Sequence, residues 1–106
     1  MERWLWRVLS RVHELAEQGR VRFTNKAFDE MVDLGFDLID VSEILYGLRP
    51  RECVGRIRSE HTGEWLYIFR PNVCGFDLYV KLLVRHECVI VSFHEEVSEG
   101  DGSQED

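Results

Sequence analysis

A chain of 106 residues, 44% apolar and 11% aromatic, can build one hydrophobic core but not two. Its 20 acids against 13 bases give a formal net charge of −7, which argues against uniform attraction to nucleic acid. No apolar run approaches the roughly 18 residues of a membrane helix. The opening MERWLWRVLSRVHEL keeps arginines among its apolar positions, so it is not a signal peptide and the chain reads as cytoplasmic with no membrane partner.

Leu5, Val8, Leu9, Val12, Leu15 and Ala16 recur at spacings of three and four, which predicts a helix ending at Gly19. RVRFT follows as a short extended piece. Thr24 or Asn25 can cap a second helix, KAFDEMVDL, with Ala27, Phe28, Met31 and Leu34 as its buried stripe and Gly35 as its end. Asp37 caps a third, with Asp40 three positions later making an imperfect capping box and Gly47 closing it. Val41, Ile44, Leu45 and Leu48 form its apolar face.

After Pro50 the period changes to two. ECVGRIRSE, EWLYIFRP, FDLYVKLLV and ECVIVSFHE read as four strands, with HTG and PNVCG as turns. Strands do not alternate with helices here, so the predicted class is α+β: N-terminal helices on one face of a twisted antiparallel sheet. Arg49, Arg51, Arg56 and Arg58 surround one acid, Glu52, making this the most basic segment and a candidate phosphate contact. Cys53, Cys74 and Cys88 form no CxxC pair and read as small buried hydrophobes. RHEC and FHEE contain metal-capable residues without ligand spacing, so neither a metal nor another cofactor is expected.

The charge is unevenly placed. EEVSEGDGSQED, residues 95–106, holds six carboxylates and no base, leaving 13 bases against 14 acids in the rest. Residues 1–96 read as a single domain and 97–106 as an acidic, disordered tail. That tail serves either as a solubilising terminus or as an acidic strand competing with phosphate for a basic groove.

The hairpin YVKLLVRHECVIVSFHEE carries the chemistry. Alternation puts Leu78, Val80, Leu82 and Val84 on one face, and Tyr79, Lys81, Leu83 and Arg85 on the other. On the next strand Val89, Val91 and Phe93 share the core face, with Cys88, Ile90, Ser92 and His94 opposite. A tight turn at His86-Glu87 brings Tyr79 against His94 and Lys81 against Ser92, whereas a turn at Arg85-His86 slides the pairs by two and leaves the faces unchanged. A one-residue slip mixes the faces and is disfavoured. Phenol, ammonium and imidazole so placed suit cleavage of RNA by its own 2′-hydroxyl. That reaction needs a base, an acid for the leaving 5′-oxygen, and cations for the phosphate. Imidazole changes charge near neutral pH and serves as acid or base. Tyr79 can orient or deprotonate the hydroxyl, neighbouring cations favouring its phenolate. Arg56 and Arg58, two apart on a strand, point together and can clamp phosphate. The competing reading is a solvated sheet face without catalytic work.

From about Leu9 to Glu95 the phrases LSRV, GRVR.T, LGFD, ILYGL, YIFRP, LYVKLLV.H and VIVSF.E occur in an order that resembles the MqsR family of bacterial toxins. The resemblance implies a RelE-like fold and cleavage of messenger RNA without a metal. It also implies a partner antitoxin, a helix-turn-helix protein that binds DNA. The family's proposed active set is Lys–Gln–Tyr–Lys. By position its tyrosine falls on Tyr79, its terminal-strand lysine on His94, its first lysine at Arg56 or, one gap away, Arg58, and its glutamine on Leu66. Tyr79, His94 and Arg56 are thus the expected catalytic residues, with Arg58, Lys81, Arg70, Arg49 and Arg51 as RNA contacts. Two functions of different class follow: an endoribonuclease toxin of a type II toxin–antitoxin pair, or a degenerate RelE-like module that binds a protein or RNA without cutting it.

Overall fold

The helices form where their caps and apolar stripes place them. In the computed structural model, which describes residues 2–96, α1 is Arg3–Glu17 and buries Val8, Leu9, Val12, Leu15 and Ala16. The chain leaves it through Gly19 at φ +73°, a conformation that disfavours any residue with a Cβ. Helix α2 is Asn25–Asp33, and Thr24 is its cap: the hydroxyl accepts the Ala27 N–H at 3.1 Å. Ala27 and Met31 are buried as expected, but Phe28 is exposed and meets Phe23 edge-on. Helix α3 is Leu38–Tyr46, with the reciprocal Asp37–Asp40 capping box formed by bonds of 2.8 and 3.0 Å. The expected acidic tail, 97–106, lies outside the described residues. Among the described residues no helix is long and apolar enough to cross a membrane.

The sheet contains β1 Val21–Phe23, β2 Cys53–Arg58, β3 Trp65–Phe69, β4 Asn72–Val73, β5 Phe76–Val84 and β6 Cys88–Glu95. Its order is β1-β6-β5-β3-β2, with β4 paired to the start of β5. The class is α+β, as read from the sequence, but the sheet is mixed: β1 runs parallel to β6 along Val21–Cys88, Arg22–Val89 and Phe23–Ile90. A short turn forces its strands antiparallel, whereas nothing local sets the direction of a strand whose partner lies some 65 residues away.

Leu78, Val80, Leu82, Ile90 and Phe93 are fully buried beneath α1, α2 and α3, and Phe36 packs edge-on against Phe93. Each such side chain is worth roughly 1.5–3 kcal/mol by area removed from water.

Two β-bulges revise the expected faces. The β5–β6 connection has three residues, Arg85 to Glu87, so pairing starts at Val84–Cys88. A bulge then shifts the register, and from Lys81–Ser92 onward the pairs are those expected, including Tyr79–His94. Val91 is the extra residue. It is half-exposed rather than under the helices, and Cys88 and Ile90 take the core positions assigned to Val89 and Val91. Val89 instead faces Leu83 on the other side, where both are buried outside the main cluster. On β2 a second bulge falls between Cys53 and Gly55, and Gly55 accommodates it at φ +154°.

Candidate functional site

The bulge in β6 restores the alternation that the site depends on. Beyond it, Tyr79 and His94 pair across β5 and β6, and their rings stack at 4.9 Å between centroids and 10° between planes. Lys81 shares their face, opposite Ser92, with its ammonium 5.9 Å from the Tyr79 ring centroid. Arg70 completes the row. Phe69 pairs with Val80, and the Leu78 N–H donates to the Pro71 carbonyl at 2.9 Å, so the same ladder sets exposed Arg70 opposite Tyr79. Arg70, Tyr79 and His94 therefore form one cross-strand row, and Ile68, Lys81 and Ser92 the next.

The electrostatics of the two rings differ. Burial, and after it the carboxylate of Glu96, pushes the Tyr79 phenol above its ordinary value. The expectation of a phenolate favoured by nearby cations is therefore reversed, and Tyr79 is a neutral hydrogen-bonding phenol. His94 Nδ1 lies 3.1 Å from the Glu95 carbonyl oxygen. A carbonyl only accepts, so this nitrogen carries the proton and Nε2 is the ring's other functional atom.

The structure does not bring Arg56 and Arg58 to this cluster. The β2 bulge reverses the parity set by Cys53, so Arg56 pairs with Tyr67 and Arg58 with Trp65. Tyr67 in turn faces Leu82, which places both arginines on the helix-covered side. The Arg56 guanidinium lies 4.4 Å from the Trp4 ring centroid and 4.0 Å from that of Trp65. Arg58 lies 4.2 Å from Trp65 and donates to the Gly63 carbonyl at 2.7 Å. The positions of β2 and β3 that share the Tyr79 face are Gly55, Ile57, Leu66 and Ile68. That part of the face is apolar.

Arg51 lines a shallow surface pocket with Arg70, Asn72 and Asp77 and so adjoins the row, while Arg49 borders a second hollow with Leu5 and Pro50. Lys26 is a cation that strand patterns did not reveal: its Nζ donates to Ser92 Oγ at 3.2 Å. No local signal announces a contact between residues 66 apart in sequence. Among the described residues no three His, Cys, Asp or Glu side chains group as a metal site. The arrangement offers an imidazole for proton transfer, a neutral phenol, and cations at the sides.

Comparison with known proteins adds two findings. A family model described as motility quorum-sensing regulator, toxin of MqsA, matches residues 7–95. The mRNA interferase toxin MqsR of Escherichia coli (strain K12) is 33% identical over 89 residues, 82% of this chain and 90% of that protein.

Proposed function

The chain belongs to the MqsR toxin family, and from that premise we propose that it is an endoribonuclease of a type II toxin–antitoxin pair, cutting mRNA by 2′-hydroxyl attack on the adjacent phosphate. The observation that carries the reading is the stacked Tyr79–His94 pair on an open sheet face with Lys81 and Arg70 beside it. In the step, the 2′-oxygen bonds to phosphorus as its proton leaves to solvent, and the bond from phosphorus to the 5′-oxygen breaks. His94, as imidazolium, delivers a proton from Nε2 to that 5′-oxygen while the Glu95 carbonyl holds Nδ1–H. Tyr79 stays neutral and orients the attacking hydroxyl. Lys81 and Arg70 offset the charge that builds on the phosphate. No part of this step requires a metal. The protein partner is an antitoxin of the kind the family description pairs with such toxins, here expected to be a helix-turn-helix DNA-binding protein, and the pair works in the cytoplasm.

The products test the chemistry. With chelator present, the purified chain should leave a 2′,3′-cyclic phosphate on one fragment and a 5′-hydroxyl on the other. Fragments with 5′-phosphates would mean water attack and would defeat the mechanism. One observation favours the second reading, a binding module that does not cut: Leu66 and Ile57 make part of the face apolar where the family resemblance expects an amide. RNA binding without cleavage would select it.

A further inference from the structure

Strand β1 covers only Cys88, Val89 and Ile90 on the outer edge of β6. Past that point α2 takes over the edge. Thr24 Oγ1 donates to the Val91 carbonyl at 3.4 Å, and the Phe93 N–H donates to Glu30 Oε1 at 2.9 Å. The same carboxylate holds Lys26, 3.2 Å from its Oε2, and the ammonium reaches on to Ser92 Oγ. Ser92 is a buried polar side chain amid a strand of apolar neighbours, and it sits opposite Lys81 and two residues from His94.

Stability alone explains this poorly. A pair between a largely exposed lysine and a glutamate one helical turn away adds little to stability. What the arrangement does achieve is position. Glu30 holds the ammonium through both oxygens, at 3.3 and 3.2 Å, and Ser92 Oγ holds it at 3.2 Å. The lysine side chain is still 63% exposed, so its charge faces solvent and is open to an anion, while tethered at two residues beside the Lys81–Ser92 row.

We propose that Lys26 is a further phosphate-binding residue of the cleavage site, contacting RNA on the side away from Arg70, and that Ser92 is its positioning residue. The inference rests on the RNA-cleaving reading above. Arg70, just past the end of β3, and His94 on β6 are two strand spacings apart, roughly 10 Å, and Lys26 lies beyond β6. Cations at both ends of that line suit a single strand of RNA that crosses the sheet strands and engages more than one phosphate.

The test is a salt titration of binding to a short single-stranded RNA, 2′-O-methylated so that it cannot be cut. For single strands each phosphate contact contributes about 0.7 to the slope of log affinity against log salt, equivalent to about fivefold in affinity at 0.1 M salt. Lys26→Ala should lose that much slope and affinity, and Lys26→Arg should restore both. Ser92→Ala should lose part of the affinity, and adding it to Lys26→Ala should cost little more. A Lys26→Ala protein that binds with the parent's affinity and slope overturns the proposal. So does one that melts earlier with its slope unchanged, because Lys26 then only fastens α2 to β6. A parent that does not bind the RNA at all overturns the underlying reading of the site instead.

Discussion

On the helix-covered side of the sheet, Arg56 lies against the Trp4 and Trp65 rings and Arg58 lies over the same Trp65 ring. On the open side, Tyr79 and His94 stack on each other, with the Lys81 ammonium 5.9 Å from the Tyr79 ring centroid and Arg70 opposite Tyr79. Both regions set cations against aromatic rings, but they spend the cations differently. The first fixes its guanidiniums on ring faces and a carbonyl, where they join α1 to β2 and β3. The second pairs ring with ring and leaves a titratable nitrogen and the cations for something else. Composition alone cannot separate a structural cation from a functional one; the partner that already occupies it can.

The sharpest way to break that contrast is His94→Ala. It should leave the fold intact and lower cleavage about a hundredfold or more, the usual scale for one acid–base group. A folded variant that cuts RNA as fast as the parent would return the open face to a solvated surface.

Tyr79→Phe removes only the hydroxyl and should cost roughly tenfold in cleavage, the scale of one hydrogen bond to a charged group. The sign of its pKa shift adds a second readout. The phenol is raised, so the protonated form prevails further into alkaline pH than for an ordinary tyrosine, and Tyr79 does not ionise as pH rises through neutrality. The Phe variant should therefore keep the shape of the parent's pH–rate profile while lowering its height. A limb that disappears with the hydroxyl would make Tyr79 a proton-transfer group after all.

Arg56→Ala should do the reverse of His94→Ala. Losing its contacts with two indoles should lower stability by about 1 kcal/mol in urea unfolding and leave cleavage close to the parent's. Cleavage that falls with stability unchanged would move the site to the other side of the sheet.

The smallest effect concerns thiols. Burial pushes Cys88 up to about 12, whereas Cys74 is exposed in the turn before β5. Alkylation near neutral pH should label Cys74 first and reach Cys88 only on unfolding, with no loss of cleavage after the first label. Rapid labelling of Cys88 in the native protein would contradict its place under the helices.

The helices were largely legible because their signals are local: the Asp37–Asp40 box, the Thr24 cap and Gly19 each act within a few residues. The Tyr79–His94 and Lys81–Ser92 pairs were legible from alternation and a short connection. What alternation could not show is where it breaks. One extra residue at Val91 turned Ile90 inward, and one at Val54 carried Arg56 and Arg58 to the helix side. Neither bulge changes composition or hydrophobic period enough to be read, although Gly55 was a hint. The parallel pairing of β1 and the reach of Lys26 to Ser92 depend on contacts more than 60 residues apart. Such contacts emerge only when the helices have found the sheet.

The most direct test is the pH–rate profile of RNA cleavage for the parent and for His94→Lys, with folding checked in both. An ammonium holds its proton to higher pH than an imidazole. If residue 94 supplies the proton to the leaving oxygen, the lysine variant should retain part of the activity and move its optimum to higher pH. Superimposable profiles from the two proteins would contradict the assignment of His94 as the proton-transfer group.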